Sequence, residues 1–206
     1  MNADPLTTLH RYSPSLRVSF RSLQYFFLAA LLAAATPAVQ AIELQLGNVY
    51  PLTFADVDQH QLSTSDGHVT IITVVTQKDE QKAQMVGDRF SRHLGDPKCR
   101  LITVVNFQQK IIQPFRGVAV AIIRHRLDVE AKELQKIYSA RHLNRNPRSD
   151  IFAVADFDGK AVSQLGVVPT STEFAVFAFD ERGRLVRRWN DLPSADALAA
   201  AIDEAL

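Results

Sequence analysis

Val69-Thr70-Ile71-Ile72-Thr73-Val74-Val75 is a β-branched run with no polar alternation, and it restricts the fold more than any other stretch. Such a strand offers no face to water, so other layers must cover its sheet on both sides. Downstream, Ala83, Val86, Phe90 and Leu94 recur at spacings of three and four between Lys82, Asp88, Arg89 and Arg92. That is the pattern of an amphipathic helix over residues 79–94. Thr76 and Asp79 have capping-box spacing at its start, and Gly95-Asp96-Pro97 ends it. Leu101 to Phe107 is a second apolar strand. Strand, helix and strand in this order predict a parallel pair with a right-handed crossover.

The flanking segments extend that unit. Residues 47–67 close on Ser65-Asp66-Gly67, a turn signal, and read as short strand pieces in a hairpin. Between 108 and 146 an apolar stripe at Val120, Ile123, Leu127, Ala131, Leu134 and Tyr138 predicts one long helix or two broken ones. Continuous from Val118 to His142, it would reach about 38 Å, more than a domain of this size needs. The excess would stand off the body or pack on a second subunit, as in a homodimer. Ile151 to Phe157 is a further strand. Phe174 to Phe179 and Arg184 to Trp189 flank Asp180-Glu181-Arg182-Gly183, a hairpin with glycine where positive φ is needed. Ser194 opens a last helix with Leu198, Ile202 and Leu206 on one face.

The first 41 residues have a different character. Arg11, Arg17 and Arg21 precede an apolar stretch from Phe26 to Ala35, and Val39 and Ala41 follow at small-residue cleavage spacing. This predicts a secretory signal over 1–41 and a periplasmic or extracellular domain over 42–206. Retention as an anchor is the alternative, although the apolar stretch falls short of the roughly 20 residues a span needs. Three of the 23 basic and one of the 22 acidic residues lie in the leader, leaving 20 against 21 in the domain. That balance gives no general attraction to nucleic acid. With Cys99 the only cysteine, no internal disulfide can form.

The end of the chain carries a resemblance. Asp156-Phe157-Asp158-Gly159-Lys160, then Leu165-Gly166-Val167-Val168-Pro169-Thr170, the strand 174–179 and Asp180-Glu181-Arg182-Gly183-Arg184-Leu185-Val186 resemble the thioredoxin-like superfamily. The likeness is strongest to its exported branch and to peroxiredoxin-like AhpC/TSA domains, and it covers about Gly47 to Leu206. It implies an α/β three-layer sandwich with a mixed central sheet and a helical insertion around 110–145. It also implies a cis proline beside the redox site, matched by Pro169. Redox members place two cysteines, separated by two residues, just after the first central strand. Those positions fall at or near Asp79 and Lys82, which cannot exchange thiols. The peroxidase variant, with threonine three residues before cysteine, fails as well, since Thr76 is followed by Asp79.

Two functions remain open at this level. The first is a redox-inactive binding, scaffolding or chaperone-like module for a protein or peptide partner in the cell envelope. Thr76, Asp79, Glu80 and Lys82 would act with the Val168-Pro169-Thr170 loop. The second is a thiol-dependent oxidoreductase or peroxidase that uses Cys99 in a dimeric or rearranged site. Cys99 precedes the second parallel strand, about 20 Å from the carboxyl ends where the family keeps its site. Arg124, Arg126, Arg141 and Arg145 give the middle segment a basic cast and a candidate contact for anionic surfaces. His60, His68, His93, His125 and His142 show no ligand spacing on a shared helix face, and neither a phosphate loop nor a nucleophile elbow occurs. The reading therefore assigns no metal, no cofactor and no catalytic residue.

Overall fold

The computed structural model describes residues 43–108, 110, 111 and 113–206. The leader expected over 1–41 lies outside the described residues. Seven strands and four α-helices follow in the order β1 (Thr53–Ala55), β2 (Gln61–Ser63), β3 (Val69–Val75), α1 (Glu80–Phe90), β4 (Cys99–Asn106), α2 (Gln113–Ala140), β5 (Ile151–Asp156), α3 (Lys160–Gln164), β6 (Ala175–Phe179), β7 (Leu185–Trp189) and α4 (Ala195–Ala205). Strands β1 and β2 form a separate antiparallel pair; the other five make one sheet in the order β5-β4-β3-β6-β7. β3, β4 and β5 are parallel, while β6 runs antiparallel to β3 and β7 antiparallel to β6. A parallel β-α-β-α-β unit followed by an antiparallel hairpin and a closing helix is the thioredoxin-like fold.

Residue parity along the strands sorts the core into two layers. Val69, Ile71 and Val75 of β3, with Leu101, Ala153, Val176 and Ala178, pack beneath Val86 and Phe90 of α1, Leu127, Leu134 and Tyr138 of α2 and Leu198 and Ile202 of α4. Ile72 and Val74, with Ile102, Val104, Val154, Phe177 and Phe179, meet Val162 of α3, Leu165, and Phe54 and Leu62 of the β1–β2 pair. All seven residues of β3 are buried, as its unbroken apolar pattern requires. Each large side chain so enclosed stabilises the fold by about 1.5–3 kcal/mol.

The middle segment is one helix. α2 has 28 residues, about 42 Å at 1.5 Å per residue, against about 26 Å for the eight-residue β4. Its expected stripe holds: Leu127, Leu134 and Tyr138 are buried, and Val120, Ile123 and Ala131 pack partly buried against the same core. Phe115, Val118, Ile122 and Val129 are exposed on the other side. Tyr138 is fully enclosed, and its hydroxyl donates to Asp150 Oδ2 at 2.8 Å. Among the described residues no helix is long and apolar enough to cross a membrane.

The amino-terminal pole of the sheet is fastened by Arg100. Its buried guanidinium donates to both carboxylate oxygens of Asp66 at 2.9 and 2.8 Å, to Thr70 Oγ1 at 3.1 Å and to the Ser63 carbonyl. Strand β4 is thereby tied to the turn that leads into β3. At α4, Ser194 caps the helix as expected, accepting from the Ala197 N–H at 3.1 Å.

Candidate binding site at the carboxyl ends of the parallel strands

In open α/β sheets, ligands settle where the parallel strands end and the chain order reverses. Here β3 sends the chain to β4 on one side, whereas β6 enters on the other. Three segments meet at that place: residues 76–78 after β3, residues 106–108, 110 and 111 after β4, and the approach to β6 around Thr172. Together they line a cleft of about 180 Å³.

Thr76 and Asp79 are brought together, though not as a full capping box. The Asp79 Oδ2 atom accepts from the Thr76 N–H at 2.9 Å and from the Thr76 hydroxyl at 2.7 Å. The hydroxyl donates its proton to the carboxylate, and α1 starts only at Glu80. Asp79 is its N-cap residue, yet no side chain caps the first-turn amides. Those N–H groups keep the partial positive charge of a helix amino end.

Glu80 and Lys82 face away from the cleft. The Glu80 carboxylate pairs with Arg126 of α2 at 3.0 Å. Lys82 Nζ donates to Asp191 at 2.7 Å and lies 5.2 Å from the centre of the Phe174 ring. The hydrogen bond that Lys82 donates to Asp191 raises the ammonium pKa, and the same bond lowers that of the carboxyl. Val168, Pro169 and Thr170 do not line the cleft. Pro169 stands in a turn closed by the Ser171 N–H donating to the Val168 carbonyl at 2.8 Å, and residues 170–174 separate it from β6.

The second wall comes from the loop after β4, which the sequence reading did not single out. Asn106 is buried; its Oδ1 accepts from the Gln108 N–H at 2.8 Å and its Nδ2 donates to the Ser171 carbonyl at 3.3 Å. Gln108 Nε2 reaches the same carbonyl at 2.9 Å and that of Thr170 at 3.4 Å. Phe107 stacks on Phe157 with ring centres 4.6 Å apart, and the Arg116 guanidinium lies 5.2 Å from the Phe157 ring. Lys78 and Lys110 complete the lining, which contains no acidic residue. The signal for this wall was the polar run Gln108-Gln109-Lys110 soon after an apolar strand.

The base of the neighbouring loop is held by Asp156. Its carboxylate accepts from the Gly159 and Val162 N–H groups, both at 2.8 Å. Burial nonetheless pushes its pKa above the ordinary carboxylate range.

Cys99 lies at the far pole. It pairs in register with Val69 at the first residue of β3, whereas Val75 pairs with Val105. Six strand steps separate it from the cleft, about 20 Å at 3.3 Å each. The thiol is buried and free, and burial pushes its pKa up to about 11. A nucleophilic cysteine needs the opposite shift.

The four arginines proposed for anionic contact, Arg124, Arg126, Arg141 and Arg145, each have a partner within the chain. Arg124 binds Asp58 and the Val57 carbonyl, Arg126 binds Glu80, Arg141 donates to the Ser91 carbonyl, and Arg145 pairs with Asp150. Among the described residues one group has metal-ligand spacing: Asp56, Asp58 and His60. Asp56 Oδ1 is taken by the Asp58 and His60 N–H groups, and Asp58 is held by Arg124 and Arg148. Those atoms are already used in docking the β1–β2 loop onto α2.

No protein-family model matches the sequence, and no curated protein sequence matches it. Solved structures with a similar course of chain include MTB dsbF in its mixed oxidized and reduced forms, at 16% identity and TM-score 0.47, covering 76% of this chain and 96% of that one. A peroxiredoxin-like protein from Aquifex aeolicus follows at 14% and 0.49, covering 81% and 91%. The pneumococcal exposed lipoprotein thioredoxin Etrx1 from Streptococcus pneumoniae strain TIGR4 stands at 14% and 0.46, covering 75% and 98%. The assignment of the fold rests on strand order and direction, not on these resemblances.

Proposed function

We propose that the chain is a redox-inert binding module that holds an extended segment of a partner protein in the cleft at the carboxyl ends of β3 and β4. One observation carries this reading. The turn after β3, where thiol chemistry on this fold would sit, is occupied by the bonded pair Thr76 and Asp79, while the only thiol is buried about 20 Å away. The cleft offers an extended segment the hydroxyl of Thr172, the ammonium groups of Lys78 and Lys110 and an aromatic wall at Phe107. With the leader read from residues 1–41, the partner is a protein of the cell envelope.

Two measurements test it. Insulin reduction and peroxide turnover of the wild type should stay at the background of a Cys99→Ser variant; turnover lost in the variant would reject the reading. A pool of acetylated hexapeptides should shift the backbone amide resonances of residues 76–78 and 106–111. If no peptide moves them, the cleft is not a peptide site.

A further inference from the structure

We propose that the group seated in this cleft is a carboxylate of the bound segment, held between Lys78 and Lys110. The inference rests on the reading of the cleft as a peptide site and names the chemistry it selects. Both lysines line the cleft, one from each wall, and no acidic side chain lines it with them. Neither ammonium has an ion-pair partner among the described residues, whereas Lys82, Lys136 and Lys160 are each paired with a carboxylate.

The nearest carboxylate in sequence, Asp79, is turned back on Thr76 through Oδ2. Two residues after Lys78, α1 begins with amides that the Asp79 side chain does not cap. Opposite them, Phe107 and Ile111 supply an apolar wall. A cleft of about 180 Å³ is smaller than the roughly 300–1,000 Å³ of sites for drug-sized ligands. It suits one residue bearing a carboxylate rather than a nucleotide. Lysine serves here as a point charge without the fixed fork of arginine, so a terminal carboxylate and an aspartate side chain share the required chemistry.

Three hexapeptide pools without lysine or arginine separate the possibilities, each titrated by amide chemical shift against the full domain. The first has free carboxyl termini and no acidic residues. The second carries the same sequences as terminal amides. The third consists of terminal amides with one internal aspartate. Carboxylate recognition predicts that the first or the third binds roughly tenfold or more tightly than the second, the size expected of charge-assisted hydrogen bonds; whichever pool gains identifies the carboxylate source.

Lys78→Gln and Lys110→Gln should each bring that pool's affinity toward the amide value. Lys98→Gln, at the opposite pole, should change nothing. Equal binding of all three pools would overturn the carboxylate assignment while leaving the peptide reading intact. Binding by none of them would reject both.

Discussion

Burial has a sign at Cys99 that can be measured. A thiol whose pKa is raised to about 11 in the folded chain favours the fold while it stays protonated. Its contribution is complete below the ordinary thiol range and is lost as pH climbs through 11. At pH 8 the folded protein holds roughly a hundredfold less thiolate than an unfolded chain, because two pKa units separate them. Alkylation by iodoacetamide at that pH should therefore be at least about 100-fold slower in buffer than in urea. Equal rates would show the thiol to be open to solvent. Lys82 teaches a related lesson. It stands at or near a position where the family resemblance puts a cysteine, and it bonds Asp191 and covers Phe174.

Among the elements, two glycines with opposite surroundings give the clearest expectations. Gly117 lies in α2 with open space where a Cβ would point. Gly117→Ala should stabilise the domain by about 0.5–1 kcal/mol through helix propensity. Gly95 ends the helical stretch before β4 at φ +82, and a Cβ there would sit 2.7 Å from Leu143 Cδ1 and 3.4 Å from the Tyr138 ring. Gly95→Ala should cost about 1–3 kcal/mol. Urea midpoints that move in the same direction for both variants would contradict this account.

The strands and α1 were legible because burial writes directly into residue type. A strand enclosed on both faces admits only runs such as Val69–Val75, and a helix lying on such a sheet shows one apolar stripe. Less legible was α3, whose five residues are too few to display a period. The cleft was half legible. Thr76 and Asp79 could be found by counting from the strand, whereas Asn106, Gln108 and Lys110 act through contacts with residues more than sixty positions away, or across a gap that only folding closes. Pro169 enters by likeness of spacing, and it is not among the residues that line the cleft.

On the scale of the whole molecule, the sheet has two unlike poles. The carboxyl pole is open, polar and edged by two lysines. The amino pole is closed by Arg100, Asp66 and His68, with burial of Asp66 opposed and outweighed by hydrogen bonds from Arg100 and His68, so its carboxyl titrates below the usual range. A lowered carboxyl pKa stabilises the fold above the ordinary carboxylate value, and that stability is lost as pH falls through the folded value. The urea midpoint of the wild type should accordingly exceed that of Asp66→Asn at pH 7, and the gap should close below about pH 4. A gap independent of pH would assign the effect to packing alone.

The single, enclosed thiol at that remote pole bears on how the molecule stands toward its chemical surroundings. It needs no oxidant to mature, offers no cross-link for a reductant to sever and presents no exposed partner for mixed disulfides.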